Sequence, residues 1–305
     1  MKKFIVKRLG LALVTLFLLS LTIFLSMRVT GDPAVLLAEP GASAADLDAI
    51  RQQFGLDRPL WTQYVSFIAH LVRGDFGQSF YYRTDVFELY LSRLPASLLL
   101  ACAAMSFSLI IGIPTGIIAA VRVNQWWDSA GKIFALLGLS MPSFWVGLIM
   151  ILFFSVYLGW LPSSGSGTVL HLVMPSIALG WVFAAAHMRL MRSSMLDVLG
   201  SEYVKLARLK GLPEALVISK HALKNALIPV VTVVGLQYGF LLGGAVVTET
   251  IFAWPGVGRL AITAILQRDY PVVQGCVLLV AVVFVLINLL VDVLYGWLDP
   301  RIRYE

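Results

Sequence analysis

Six stretches of roughly 20 residues carry almost no charge in this 305-residue chain, and each is long enough to cross a bilayer as a helix. They run over 9–27, 95–121, 133–160, 172–188, 226–248 and 272–291. Hydrophobic residues make up 59% of the chain and charged residues 13%, where a soluble domain carries roughly a quarter charged. The mean hydropathy is +0.86. The pattern predicts an all-α membrane protein with six transmembrane helices. The fourth run is the shortest and is interrupted by Pro175 and Gly180.

The basic residues set the orientation. Lys2, Lys3, Lys7 and Arg8 precede the first run and keep that end cytoplasmic. No small-x-small cleavage site follows Ser26, so the first helix is expected to stay uncleaved. With six spans, fifteen of the 23 Lys and Arg fall in cytoplasmic segments. The other eight lie outside, six of them spread along 28–94, where charge orients weakly. Both termini are therefore predicted inside. The net charge of +6 follows this topology and does not form the basic face of a nucleic-acid binder. Residues 28–94 are polar and rich in breakers, and are predicted to form short extracytoplasmic surface helices. Trp126 and Trp127 fit a membrane interface, and Ser163–Gly167 a flexible outer loop.

Nothing in the chain carries familiar catalytic chemistry. Cys102 and Cys276 lie in apolar runs and read as small hydrophobes. His70, His171, His187 and His221 show no metal-ligand spacing. Gly131-Lys132 lacks the remainder of a phosphate loop, and neither H-E-x-x-H nor G-x-S-x-G occurs. An ion-driven carrier or a respiratory subunit would need intramembrane charge relays, and Asp292, near the inner end of the last run, suits an interfacial position better.

The most distinctive stretch is Ser201 to Arg259. Residues 195–210 can form an amphipathic helix closed by Gly211. Pro213 and Glu214 suit the start of a second helix running to about Lys224. Such a basic pair can simply lie on a membrane surface. Beyond it, Gly235, Gly239 and Gly243 recur every four residues, packing either within the chain or against a second subunit. Gln237 and Tyr238 are polar enough to line a path.

Glu202-Tyr203-Val204, Ala207-Arg208, Lys210-Gly211-Leu212 and the run from His221 to Pro229 resemble the cytoplasmic coupling loop of ABC importer permeases, in the peptide and nickel branch. The resemblance extends through Thr30–Pro33, Phe54–Asp57, Gly74–Gly77, Glu249–Phe252, Trp254–Gly258, Arg268–Pro271 and Leu298–Arg301. Lys205 and Leu206 depart from the broad E-A-A-x-x-x-G pattern, as do His221 to Lys224 from I-x-L-P. The resemblance implies a type I importer permease fold in the bacterial inner membrane. It comprises a single permease domain: a first helix at 1–27, an extracytoplasmic segment at 28–94 and a five-helix core at 95–300. The coupling loop is 201–224. It further implies that Glu202, Tyr203, Lys205, Ala207, Arg208, Lys210, Gly211, Leu212 and His221 couple to an ATPase. Glu249 and the Trp254 turn would then lie at an outer gate. The implied partners are a second permease subunit, two cytoplasmic ATPases that bind ATP and Mg2+, and an extracytoplasmic binding protein. The implied cargo is a short peptide or a nickel chelate.

Overall fold

The protein is described by a computed structural model over residues 2–30, 34–35, 43–53 and 55–298. Gly31–Pro33, Phe54, Asp299–Arg301 and the side chain of Asp292 lie outside what is described. Among the described residues every regular element is helical. An isolated antiparallel bridge between Gln78 and Asp85 is the only strand-like pairing among them. In order these are α1 (Lys2–Thr30), α2 (Ala44–Gln53), α3 (Leu60–Val72), α4 (Val86–Val121), α5 (Trp126–Ser140) and α6 (Ser143–Met150). There follow α7 (Val169–Leu199), α8 (Glu202–Leu209), α9 (Leu223–Ile251), α10 (Val257–Leu266) and α11 (Tyr270–Leu298).

Among the described residues five helical runs are long and apolar enough to cross a membrane, and a bent pair makes six when it is counted as one span. The pair is α5 with α6, which continues as a π-helix over Ile151–Tyr157; its halves meet at 103°. A single third span over 133–160 is therefore replaced by a broken one. Proline explains the break, because Pro142 offers no N–H and forces Met141 into an extended conformation with ψ 123°. Pro95 and Pro175 do not break their helices. Pro95, expected to open the second span, lies inside the 36-residue α4. Pro175 lies inside α7, which runs unbroken for 31 residues where a short, interrupted span was expected. The Ser176 hydroxyl donates to the carbonyls of Leu172 and Val173 at 2.7 and 2.9 Å, adding a second bond to the backbone beside the proline.

The chain divides into two compact units, Met1–Pro95 with Gly256–Glu305, and Ala96–Pro255. In the first, Val86 and Tyr90 of α4 pack with Val257, Leu260, Ala264, Val272 and Cys276 of α10 and α11. Asp269, buried between those two helices, gathers the loop before α4. Its carboxylate accepts from the Ser79 hydroxyl at 2.5 Å and from the Phe80 and Tyr81 amides at 3.2 and 3.1 Å. Asp269 of the Arg268–Pro271 motif thus has a structural use.

In the second unit α7 is the central strut, buried from Met174 to Met195. Its tightest contacts are made through glycines. A Cβ on Gly112 would lie 2.6 Å from the Ala184 carbonyl oxygen. One on Gly116 would lie 2.6 Å from that of Met188, and one on Gly180 2.5 Å from that of Ala104. These positions tolerate no side chain, which brings the backbones of α4 and α7 together. Ser163–Gly167 is not simply a loose loop, since the Gly165 amide donates to Phe252 O at 2.8 Å.

Candidate functional site: the α8 loop and the face of α9

Residues 195–210 do not form one helix. α7 ends at Leu199, and α8 begins at Glu202 after a turn through Gly200 and Ser201. Gly211, at φ 74°, reverses the chain in the left-handed region. The expected second helix is also not separate. One helical turn over Glu214–Leu216 passes through a π-helical segment, Val217–Ala222, straight into α9. A displacement of α8 therefore reaches the long α9 through one turn and a continuous helical run.

α8 has two faces. Val204 and Ala207 turn inward onto Val217, beside Val198, Leu199 and Leu212. Tyr203 accepts a hydrogen bond from Asn225 Nδ2 at 2.7 Å, tying α8 to the first turn of α9. Lys205 pairs with Glu202 at 2.7 Å. Arg208 clasps Glu214 across the turn with bonds of 3.1 and 2.7 Å, and this bonding raises the guanidinium pKa further. Both pairs are exposed and contribute little stability, about 0–1 kcal/mol each; their effect is to fix the loop's shape. Lys210 is exposed and makes no ion pair among the described residues, and His221 is half-buried. The outward face also shows Leu206 and Leu209, 53% and 85% exposed. Two bare leucines three residues apart on an otherwise polar helix are what a receiving groove would bury. The i, i+3 spacing of Leu206 and Leu209 is the signal in the sequence that marks this face.

α9 turns Val230, Ala226 and Leu241 into the unit. It leaves Thr232, Leu236, Phe240, Gly243 and Val247 exposed at helical spacing. The residues expected to line a path are not on that stripe. Gln237 is half-buried, with Oε1 enclosed and unpartnered among the described residues. Tyr238 hydrogen-bonds with Cys102 of α4. Glu249 is fully buried and accepts from the Ser97 hydroxyl at 2.5 Å. Trp254 is buried, its indole donating to Ala96 O at 2.9 Å, and its amide closes α9 on Glu249 O at 2.8 Å. Glu249 and Trp254 thus latch the end of α9 to the start of the Ala96–Val121 part of α4. The three glycines are no single seam either: Gly235 is half-buried, Gly239 buried, and Gly243 exposed with open space around it.

A buried ion cluster joins residues that have no local signature in the sequence. Asp128, at the start of α5, is fully buried and receives Arg192 of α7 at 2.7 and 3.0 Å, Lys132 at 2.9 Å and the Asn124 amide at 3.1 Å. Only the sixty-four-residue separation conceals the pair. It fastens α5 to α7 two turns before α7 ends at the α8 loop.

A family model described as the binding-protein-dependent transport system inner membrane component matches residues 112–304, and the model of its N-terminal part matches 1–102. The chain belongs to that family. It is the permease component of an ABC importer, a multi-pass protein of the bacterial inner membrane. The permease is 45% identical over 306 residues to the glutathione transport system permease protein GsiC of Escherichia coli strain K12, covering 100% of both chains. The GsiC protein of Shigella flexneri serotype 5b is equally similar, with the same coverage. Its fold matches a chain of the MetNI methionine ABC transporter in inward-facing form at a TM-score of 0.59. That alignment has 19% identity and covers 69% of the permease and 96% of the other chain. The all-helical importer permease fold expected from sequence is thus the one observed.

Proposed function

We propose that this permease imports short peptides, glutathione-like tripeptides among them. Similarity to glutathione permeases along the entire chain carries the substrate class. Both termini lie in the cytoplasm in this reading, so the α8 loop faces the ATPases. Leu206 and Leu209 enter a groove on the ATPase while Lys210 meets an acidic rim. Closure of two ATPases on ATP and Mg2+ pulls α8, and the continuous run from Glu214 carries the motion into α9. The exposed stripe of α9 faces a second permease subunit across the translocation path. An extracytoplasmic binding protein delivers the peptide to the other side, and the Glu249–Trp254 latch holds that end of α9. Because the cavity forms between two permeases, peptide contacts are expected from Thr232, Leu236 and Phe240, more than from Gln237 and Tyr238.

The test is ATP-dependent uptake by the reconstituted importer with radiolabelled glutathione, dipeptides and a nickel chelate as competing cargoes. Saturable uptake of the peptides is expected. Uptake of the chelate alone overturns the substrate class, and uptake driven by an ion gradient without ATP overturns the coupling.

A further inference from the structure

α3 is uncharged and, at 13 residues, too short to cross a bilayer. None of its side chains is fully buried, and Leu60, Trp61, Val65 and Val72 are 54–83% exposed. Yet its other face packs on the apolar span of α1. The Tyr64 hydroxyl bonds Ser20 Oγ at 2.8 Å, and its ring lies 6.1 Å from Phe17 and 5.3 Å from Phe24. These partners belong to the membrane-spanning stretch Arg8–Met27. Ser20 stands seven residues before Met27, about 10 Å along the helix. α3 therefore lies along the last turns of the α1 span and turns its exposed apolar face outward at that depth, as a lipid-facing helix would.

Beside it is a cavity of about 340 Å³, walled by Phe24 and Met27 of α1, Phe67 of α3 and Tyr270 at the start of α11. Those positions are the ends of two membrane spans, which places the cavity at the boundary between hydrocarbon and head groups. Its polar wall is unsatisfied. Gly55, at φ 63°, lets the Arg58 side chain fold across it, and that guanidinium has no hydrogen bond or ion pair among the described residues. Gln63 Nε2 holds this turn by donating to Leu56 O and Arg58 O at 3.0 and 2.7 Å, and its Oε1 is buried without a partner among the described residues. Asp75, also on the wall, accepts from the Gly77 amide at 2.9 Å but has no cation beside it among the described residues. The wall thus offers one cation, and an acid and an amide oxygen that both lack a donor of positive charge.

We propose that this cavity binds a zwitterionic phospholipid of the phosphatidylethanolamine type. Its phosphate sits against Arg58 and its ammonium against Asp75 and Gln63 Oε1, with acyl chains running down the groove of α1 and α3. A short peptide is also zwitterionic, but it has no acyl chains for the exposed face of α3, and the depth of the cavity favours lipid.

The assembled importer in nanodiscs of phosphatidylethanolamine and phosphatidylglycerol tests this with a trace of phosphatidylethanolamine carrying an acyl-chain diazirine. After irradiation, label is expected on peptides covering residues 55–80. Arg58→Glu is expected to lower that label about tenfold, as loss of a hydrogen bond to a charged group implies. If that variant fails to assemble, Asp75→Asn serves, because it keeps the Oδ1 acceptor for Gly77 while removing the charge; it lowers labelling by phosphatidylethanolamine relative to a phosphatidylglycerol probe. Absence of label there overturns the proposal. So does label unchanged in the variants, or competed away by excess inorganic phosphate or glutathione.

Discussion

Two glycine series with the same four-residue spacing behave in opposite ways. Gly112 and Gly116 of α4 touch the backbone of α7 so closely that a methyl would lie 2.6 Å from a carbonyl oxygen. Gly235, Gly239 and Gly243 of α9 begin half-buried and end in open space. The first series is a finished contact, and the second runs out onto a surface that the chain alone does not cover. Spacing says that a helix can be approached closely, but not by which neighbour. The same division separates the whole second unit into a held part around α7 and a presented part made of α8 and the outer stripe of α9. Substitutions in the held part are expected to cost stability. Those in the presented part are expected to cost assembly and transport.

The largest effect is expected from Gly116→Leu, which forces side-chain atoms into the Met188 carbonyl. Overpacking against backbone costs about 3 kcal/mol or more, and folded permease should be absent from size-exclusion profiles. Normal yield and melting temperature would show that α4 and α7 are not held together there. Arg192→Met should follow at about 3 kcal/mol, because it leaves buried Asp128 with only Lys132 as a charged partner. Adding Asp128→Asn removes the stranded charge and should recover part of that loss in thermal unfolding. Gly211→Val places a branched residue at φ 74° and should cost about 1–2 kcal/mol. Its main readout is a lower ratio of peptide imported to ATP hydrolysed, and an unchanged ratio would remove Gly211 from the coupling route. The smallest effect on the chain itself is expected from Gly243→Leu, within about 0.5 kcal/mol. Co-purification with the second permease should nevertheless fall; equal loss of stability and pairing would mean that α9 is held like α7.

What the sequence made legible followed from properties that act locally or repeat along the chain. Apolar runs announced the spans, and Gly211 with Pro213 the sharp turn after α8. The misreadings arose where a distant partner decides the outcome. Pro142 breaks its helix and Pro175 does not, and local composition does not separate them; α7 differs in being buried along its length in the unit. Glu249 and Ser97 are bonded to each other across 152 residues of sequence, which no local pattern announces. Asp128 and Arg192 are unremarkable singly and become a clamp only when α5 meets α7. In the α8 loop Arg208 and Lys205 are occupied by Glu214 and Glu202, while Leu206 and Leu209 face outward beside Lys210.

The most direct test is therefore on those two leucines. The importer carrying Leu206→Asp and Leu209→Asp should be reconstituted in proteoliposomes, with peptide uptake and ATP hydrolysis recorded together. The permease should fold and pair normally while uptake is lost and hydrolysis no longer responds to loaded binding protein. Wild-type uptake by that double variant would contradict entry of energy through α8.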